Sequence, residues 1–213
     1  ELQHTDFLLI ESTYGDRLHS KADPLEEIGE VVRSTAAKGG SVIVPAFAVG
    51  RAQSMLYYLY QLKQSGSIPD LPIFLDSPMA ISATKLLCHF HNEHRLPEGL
   101  CADVCNVATY VNTVDDSKGL EKIRMPSVII SASGMATGGR ILHHLKHFMG
   151  DPRNTILFTG FQAGGTRGDR MVKGEKEIKI HGQFYSVNAR IENLTVLSAH
   201  ADYEEILKWL RNF

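Results

Sequence analysis

The sequence predicts an α/β fold, an open and mostly parallel sheet with helices on both faces. Three observations carry this. Apolar runs of strand length alternate with amphipathic runs of helical length along most of the chain. The strand-like runs, such as "SVIVPAF", are apolar throughout instead of alternating, as expected where both faces of a sheet are covered. Turns rich in Gly, Ser and Pro separate the two kinds of run.

The elements follow in order. "DFLLIEST" (6–13) reads as a strand that ends near Glu11. "DPLEEIGEVVRSTAAKGG" (23–40) reads as a helix, with Asp23 as N-cap, Pro24 at the first helical position and Gly39-Gly40 as the stop. A strand at 41–47, a helix at 49–66, a strand at 71–77 and a helix at 78–94 come next. The stretch 98–126 is the least periodic and is expected to wander over the sheet edge. "PSVIISAS" (126–133) and "NTILFTGF" (154–161) are strands on either side of a helix at 135–150. Residues 176–199 read as shorter strands, and "DYEEILKWLRNF" (202–213) as a closing helix.

The 213 residues suit one good-sized domain, or one domain with pieces of another. A hydrophobic share of 43% and a charged share of 22% are those of a globular protein. The formal net charge of -2 gives no global basic field, so any phosphate binding must be local. No apolar run approaches ~18 residues, so neither a membrane span nor a membrane partner is expected. The N-terminus lacks the basic start and cleavage site of a leader and reads as a chain entering mid-protein. Cys88, Cys101 and Cys105 are too few, and odd in number, for a disulfide scaffold. They are expected to be bystander thiols in a reducing cytoplasm.

Ligands of open parallel sheets bind beyond the carboxyl ends of the strands. Here those ends read "ESTYGDR", "PAFAVGRAQ", "DSPMA", "SASGMATGGR" and "GFQAGGTRG". Small and hydroxylated residues let backbone amides approach an anion, and arginine adds bidentate recognition of phosphate. Ser77, Ser133, Gly138, Gly139 and Thr166, with Arg51, Arg140 and Arg167, are therefore the candidate phosphate-binding residues, and Arg17 lies on the same rim. No Walker loop or clean dinucleotide fingerprint is present.

Three groups of histidines bear on a metal site. "HFHNEH" places His89, His91, Glu93 and His94 close together, but on a helix His89 and His91 point nearly opposite ways. His143 and His147 stand four apart with no acidic residue in the zinc-peptidase position, so a solvated or substrate-facing surface is expected. His4, His19 and His181 are isolated. At the end of the chain, "LSAHADY" places His200 and Asp202 just past a strand-like run. By themselves they could be part of a metal site or half of an acid/base pair.

The ordered set "LLIESTYGDR", "VPAFAVGRAQ", "DSPMA", "SASGMATGGR", "GFQAGGTRG" and "LSAHADY" closely resembles the β-CASP group of metallo-β-lactamase-fold nucleases. Within it the match is to RNA-processing members such as the catalytic subunit of the cleavage and polyadenylation specificity factor. The resemblance spans essentially the whole chain. It implies a Rossmann-like β-CASP domain at 16–195, with pieces of a metallo-β-lactamase domain at 1–15 and 196–213. It implies that Glu11 is the motif A acid and His200 the motif B histidine that protonates the leaving oxygen, and it removes Asp202 as a ligand in favour of helix capping. The parent would be an endo- or 5′–3′ exoribonuclease using two zinc ions, acting on single-stranded RNA held by its backbone. A homodimer is compatible with this. The family's metal-ligand motifs have no counterpart here, so no metal is expected in this chain. Two other readings remain open: a non-catalytic nucleic-acid-binding scaffold, and an unrelated α/β enzyme binding a nucleotide or sugar phosphate.

Overall fold

A computed structural model describes residues 5–97 and 99–212. His4 and Phe213 lie outside the described residues.

Helix α1 (Pro24–Ala37) begins where Asp23 accepts the Leu25 amide. Strand β1 (Val42–Pro45) follows, then α2 (Arg51–Gln64), β2 (Ile73–Asp76) and α3 (Pro78–His89). The expected helix to residue 94 stops at His89 and gives way to a short 3-10 turn, His91–Glu93. The aperiodic stretch holds α4 (Leu100–Asn106), a two-residue β3 (Thr109–Tyr110) and α5 (Val114–Leu120). Then come β4 (Val128–Ser131), α6 (Ile141–Phe148), β5 (Thr155–Phe158), α7 (Arg167–Val172), the hairpin β6 (Glu177–Ile180) and β7 (Gln183–Ser186), β8 (Arg190–Asn193) and α8 (Tyr203–Leu210).

Six strands form one sheet in the order β3-β2-β4-β1-β5-β8, with every pairing parallel. This is the predicted α/β class, and β3 lies at the sheet edge as expected of its stretch. The core explains the continuous apolar runs. Val42 and Val44 face one hydrophobic cluster, built with α1 and α2, while Ile43 between them faces a second, built with α6. Successive side chains of a strand point to opposite faces, so both registers must be apolar.

Two expectations fail. Residues 6–13 do not form a strand, and Phe7 and Leu9 are 94% and 98% exposed. Residues 194–199 do not form one either, although Leu194 and Leu197 are buried. A strand needs a neighbour for its N–H and C=O groups; among the described residues no strand pairs with 6–13, and 194–199 is tied to β5 by the Leu194 amide on the Phe158 carbonyl but forms no ladder beyond it. A single parallel bridge, Tyr14 to Asp202, joins the two ends of the chain.

The cysteines are a third correction. Cys88 and Cys105 form a disulfide, and Cys101 is buried and free beside them. Spacing along the sequence did not reveal that α3 and α4 pack side by side, which brings the three sulfurs together.

Candidate functional site

The carboxyl ends of β1, β4 and β5 open onto a cleft of about 510 Å³. The turns after these strands form its floor, and Tyr14 and His200 close it from the two chain ends. Tyr14 is buried and stacks on the His200 ring, with centroids 6.1 Å apart and planes 25° from parallel.

Glu11 and His200 come together across 189 residues of chain. Glu11 Oε2 lies 3.3 Å from His200 Nδ1. The same oxygen accepts the Thr13 amide at 2.9 Å, and Oε1 accepts the Ala201 amide at 3.3 Å. The Thr13 amide bond, supported by the nearby His200 and the Ala201 amide, holds the Glu11 carboxyl below its usual value. With Nδ1 turned to Glu11, Nε2 is the ring nitrogen left for a ligand. Both residues are half exposed.

The rim arginines differ in what they do. Arg140 donates to Asp76 at 2.6 Å and to the carbonyls of Val111 and Asn112. Arg167 donates to the carbonyls of Lys179, Ala136 and Thr137. Arg17 pairs with Asp16 and lies over the rings of Tyr14 and Phe161. Arg51, at the start of α2, lines the cleft, and its guanidinium has no hydrogen-bond or ion-pair partner among the described residues. Burial pushes its guanidinium below the ordinary value. An unpaired, partly desolvated cation is costly unless an anion joins it.

The small rim residues have local structural roles. Ser77 caps α3 by accepting the Ala80 amide, and Thr166 caps α7 by accepting the Asp169 amide. Ser133 Oγ accepts the amides of Thr137 and Gly138 and so closes its loop. Gly139 has φ +79°, and a Cβ there would lie 2.5 Å from the Ala132 carbonyl oxygen, so only glycine fits that turn. Gly138 beside it is open to solvent-side approach.

Asp202 caps α8. It accepts the amides of Glu205 and His19, and Glu205 returns a bond to the Asp202 amide. His19, Asp202 and Glu205 bring their ligand atoms within 4.8 Å of one another. Both carboxylates are already held by those amides. Among the described residues the histidines of "HFHNEH" and "HHLKH" form no such cluster, and His89, His91, His143 and His147 are exposed.

Two features were missed by sequence reasoning. Phe47 and Phe161, with Tyr14, give the cleft aromatic walls. Phe47 and Phe161 each end a strand-like run of the sequence, a placement that points to the rim of the sheet. The second is a buried network at Asp76, which accepts from Ser117, Arg140 and His144. The sequence spacing singles out His143 and His147, which are exposed, whereas His144 between them is buried.

The family described as the β-CASP domain matches residues 52–171, and the family described as the Zn-dependent metallo-hydrolase RNA specificity domain matches 185–213. The ribonuclease TTHA0252 of Thermus thermophilus is 37% identical over 97% of this chain and 49% of its own length. An RNase J-like protein of Methanocaldococcus jannaschii is 31% identical over 99% of the chain and 50% of its own. The transcription termination factor FttA of Methanosarcina mazei is 32% identical over 96% of the chain and 34% of its own. The chain thus spans half or less of the length of these relatives. The domain match covers more than half of the sequence and includes α2 from Ala52 onward, α6 and the glycine-rich turns after β4 and β5, so the chain belongs to the β-CASP family of metallo-β-lactamase-fold nucleases.

Proposed function

We propose that this chain is the RNA-holding part of a zinc-dependent ribonuclease, and that it also carries the group that protonates the leaving oxygen. The observation that carries the reading is the unpaired Arg51 guanidinium in the same cleft as His200. Arg51 takes a backbone phosphate, which replaces the water its charge has lost. The aromatic walls from Phe47 and Phe161 accept a base of the strand. Glu11 orients His200 through Nδ1, and protonated Nε2 delivers its proton to the departing alkoxide.

The chain's own residues do not fit a zinc ion in this cleft. His200 and Glu11 are two groups where three or four are needed, and both Glu11 oxygens already accept amides. The metal ligands, two ions in number, are proposed to lie in the part of the parent that corresponds to the relatives' additional length. The division at residues 16 and 195 belongs to the same proposal, as do the remaining rim residues, which shape the anion-facing turns. RNA is the proposed partner, the cytoplasm the proposed compartment and self-association in a homodimer a further part of the reading. No helix among the described residues is long and apolar enough to cross a membrane.

The test is binding of single-stranded RNA by the parent as a function of salt. Replacing Arg51 with Ala should weaken binding and lower the slope of log K against log salt by about 0.7, the amount for one phosphate contact on a single strand. An unchanged slope would remove Arg51 from the phosphate path.

A further inference from the structure

The three cysteines of the chain converge on one point. Cys88 lies in the last turn of α3, Cys101 and Cys105 lie one turn apart on α4, and their sulfurs all stand within 4.8 Å of one another. Cys101 Sγ lies 3.2 Å from Cys88 Sγ. None of the three lines the cleft. Two helices, α3 from a periodic run and α4 from the aperiodic stretch, thus deliver every thiol to a single cluster.

We propose that, when reduced, Cys88, Cys101 and Cys105 form a three-thiolate site for a thiophilic divalent ion of the zinc class, and that the Cys88–Cys105 disulfide is its metal-free oxidised form. Geometry favours this. With zinc–sulfur bonds of about 2.3 Å and tetrahedral angles, ligand sulfurs stand about 3.8 Å apart, and a small adjustment of the present cluster gives that spacing. The Cα atoms of Cys88 and Cys105 are 7.4 Å apart. That exceeds the usual disulfide range of about 4.4–6.8 Å, while a shared ion between two sulfurs accommodates it. The fourth position is left to water.

Conversion is balanced with a dithiol as reductant. The Cys88–Cys105 bond breaks, two electrons and two protons pass to the sulfurs, and the dithiol closes to its own disulfide. Metal binding then releases the three thiol protons. The site would fix the loop from His89 to Pro97. Phe90 and Leu96 of that loop line a groove against α2, and the groove shares Val49, Gly50 and Ser54 with the Arg51 cleft. Occupancy would therefore set the shape of the cleft's flank.

The experiment titrates the whole chain, reduced with dithiothreitol under anaerobic conditions, with Co²⁺ as a spectroscopic probe. The expected result is one Co²⁺ per chain with an intense sulfur-to-cobalt charge-transfer band, displaced by Zn²⁺ and lost in Cys101→Ser and in Cys105→Ser. Absence of the band, or a band that survives in both variants, overturns the proposal. A second readout needs no variant: Zn²⁺ should protect all three wild-type cysteines from N-ethylmaleimide. Alkylation at an unchanged rate also overturns it.

Discussion

At the scale of single residues, four rim arginines look alike in the sequence and differ in the fold. Arg17, Arg140 and Arg167 hold Asp16, Asp76 and backbone carbonyls, which leaves Arg51 to face the cleft without a partner among the described residues. Whether an arginine is paired depends on groups such as Asp76, which lies 64 residues from Arg140, and no local pattern reveals that. The Glu11–His200 pair was legible because the motif set named both residues, and the structure supplies their 3.3 Å separation. Replacing His200 with Ala in the metal-loaded parent should lower single-turnover cleavage by roughly 10²–10⁴-fold, the usual cost of losing a positioned general acid. RNA affinity should hold, because the phosphate contact is assigned to Arg51. Cleavage at the wild-type rate would show that the proton comes from elsewhere.

At the scale of elements, helix starts were the most legible feature. Asp23 and Asp202 cap helices as expected, and Ser77, read from the sequence only as a phosphate candidate, does so too, because a short acceptor before an amphipathic run meets amides that have no partner within the helix. The strand at 6–13 was misread because composition reports only a liking for a covered sheet surface. It cannot report whether a neighbouring strand exists to supply one. Capping also sharpens the place of Ser77. Its hydroxyl accepts the Ala80 amide at 3.2 Å from a buried position. Ser77→Ala should therefore cost about 1 kcal/mol in urea unfolding. If Ser77 acts mainly as a cap, RNA affinity will stay constant in this variant. A fall in affinity with unchanged stability would instead place its hydroxyl on the phosphate.

The whole molecule has two parts that differ in how they are held. The sheet and its two hydrophobic clusters are closed, whereas Phe7 and Leu9 stand almost fully in solvent. Phe7→Ser with Leu9→Ser should leave the melting temperature unchanged and reduce self-association of the chain, measured by light scattering, since these side chains bury nothing.

The closed part is pinned by Asp76, where the end of β2 meets α5, α6 and the loop carrying Arg140. Burial alone would raise this carboxyl, but hydrogen bonds from His144, Ser117 and Arg140 outweigh it and hold the group below the usual value. A carboxyl whose folded pKa is depressed contributes fully above its unfolded value of about 3.9, and that contribution is lost as pH falls through the folded pKa. Asp76→Asn should remove about 3 kcal/mol at neutral pH, because it leaves Arg140 without its buried counter-charge. The gap between wild type and variant in urea unfolding should then narrow steadily as pH is lowered below about 4. A gap that stays constant down to acid unfolding would mean that the Asp76 charge is not what joins these elements.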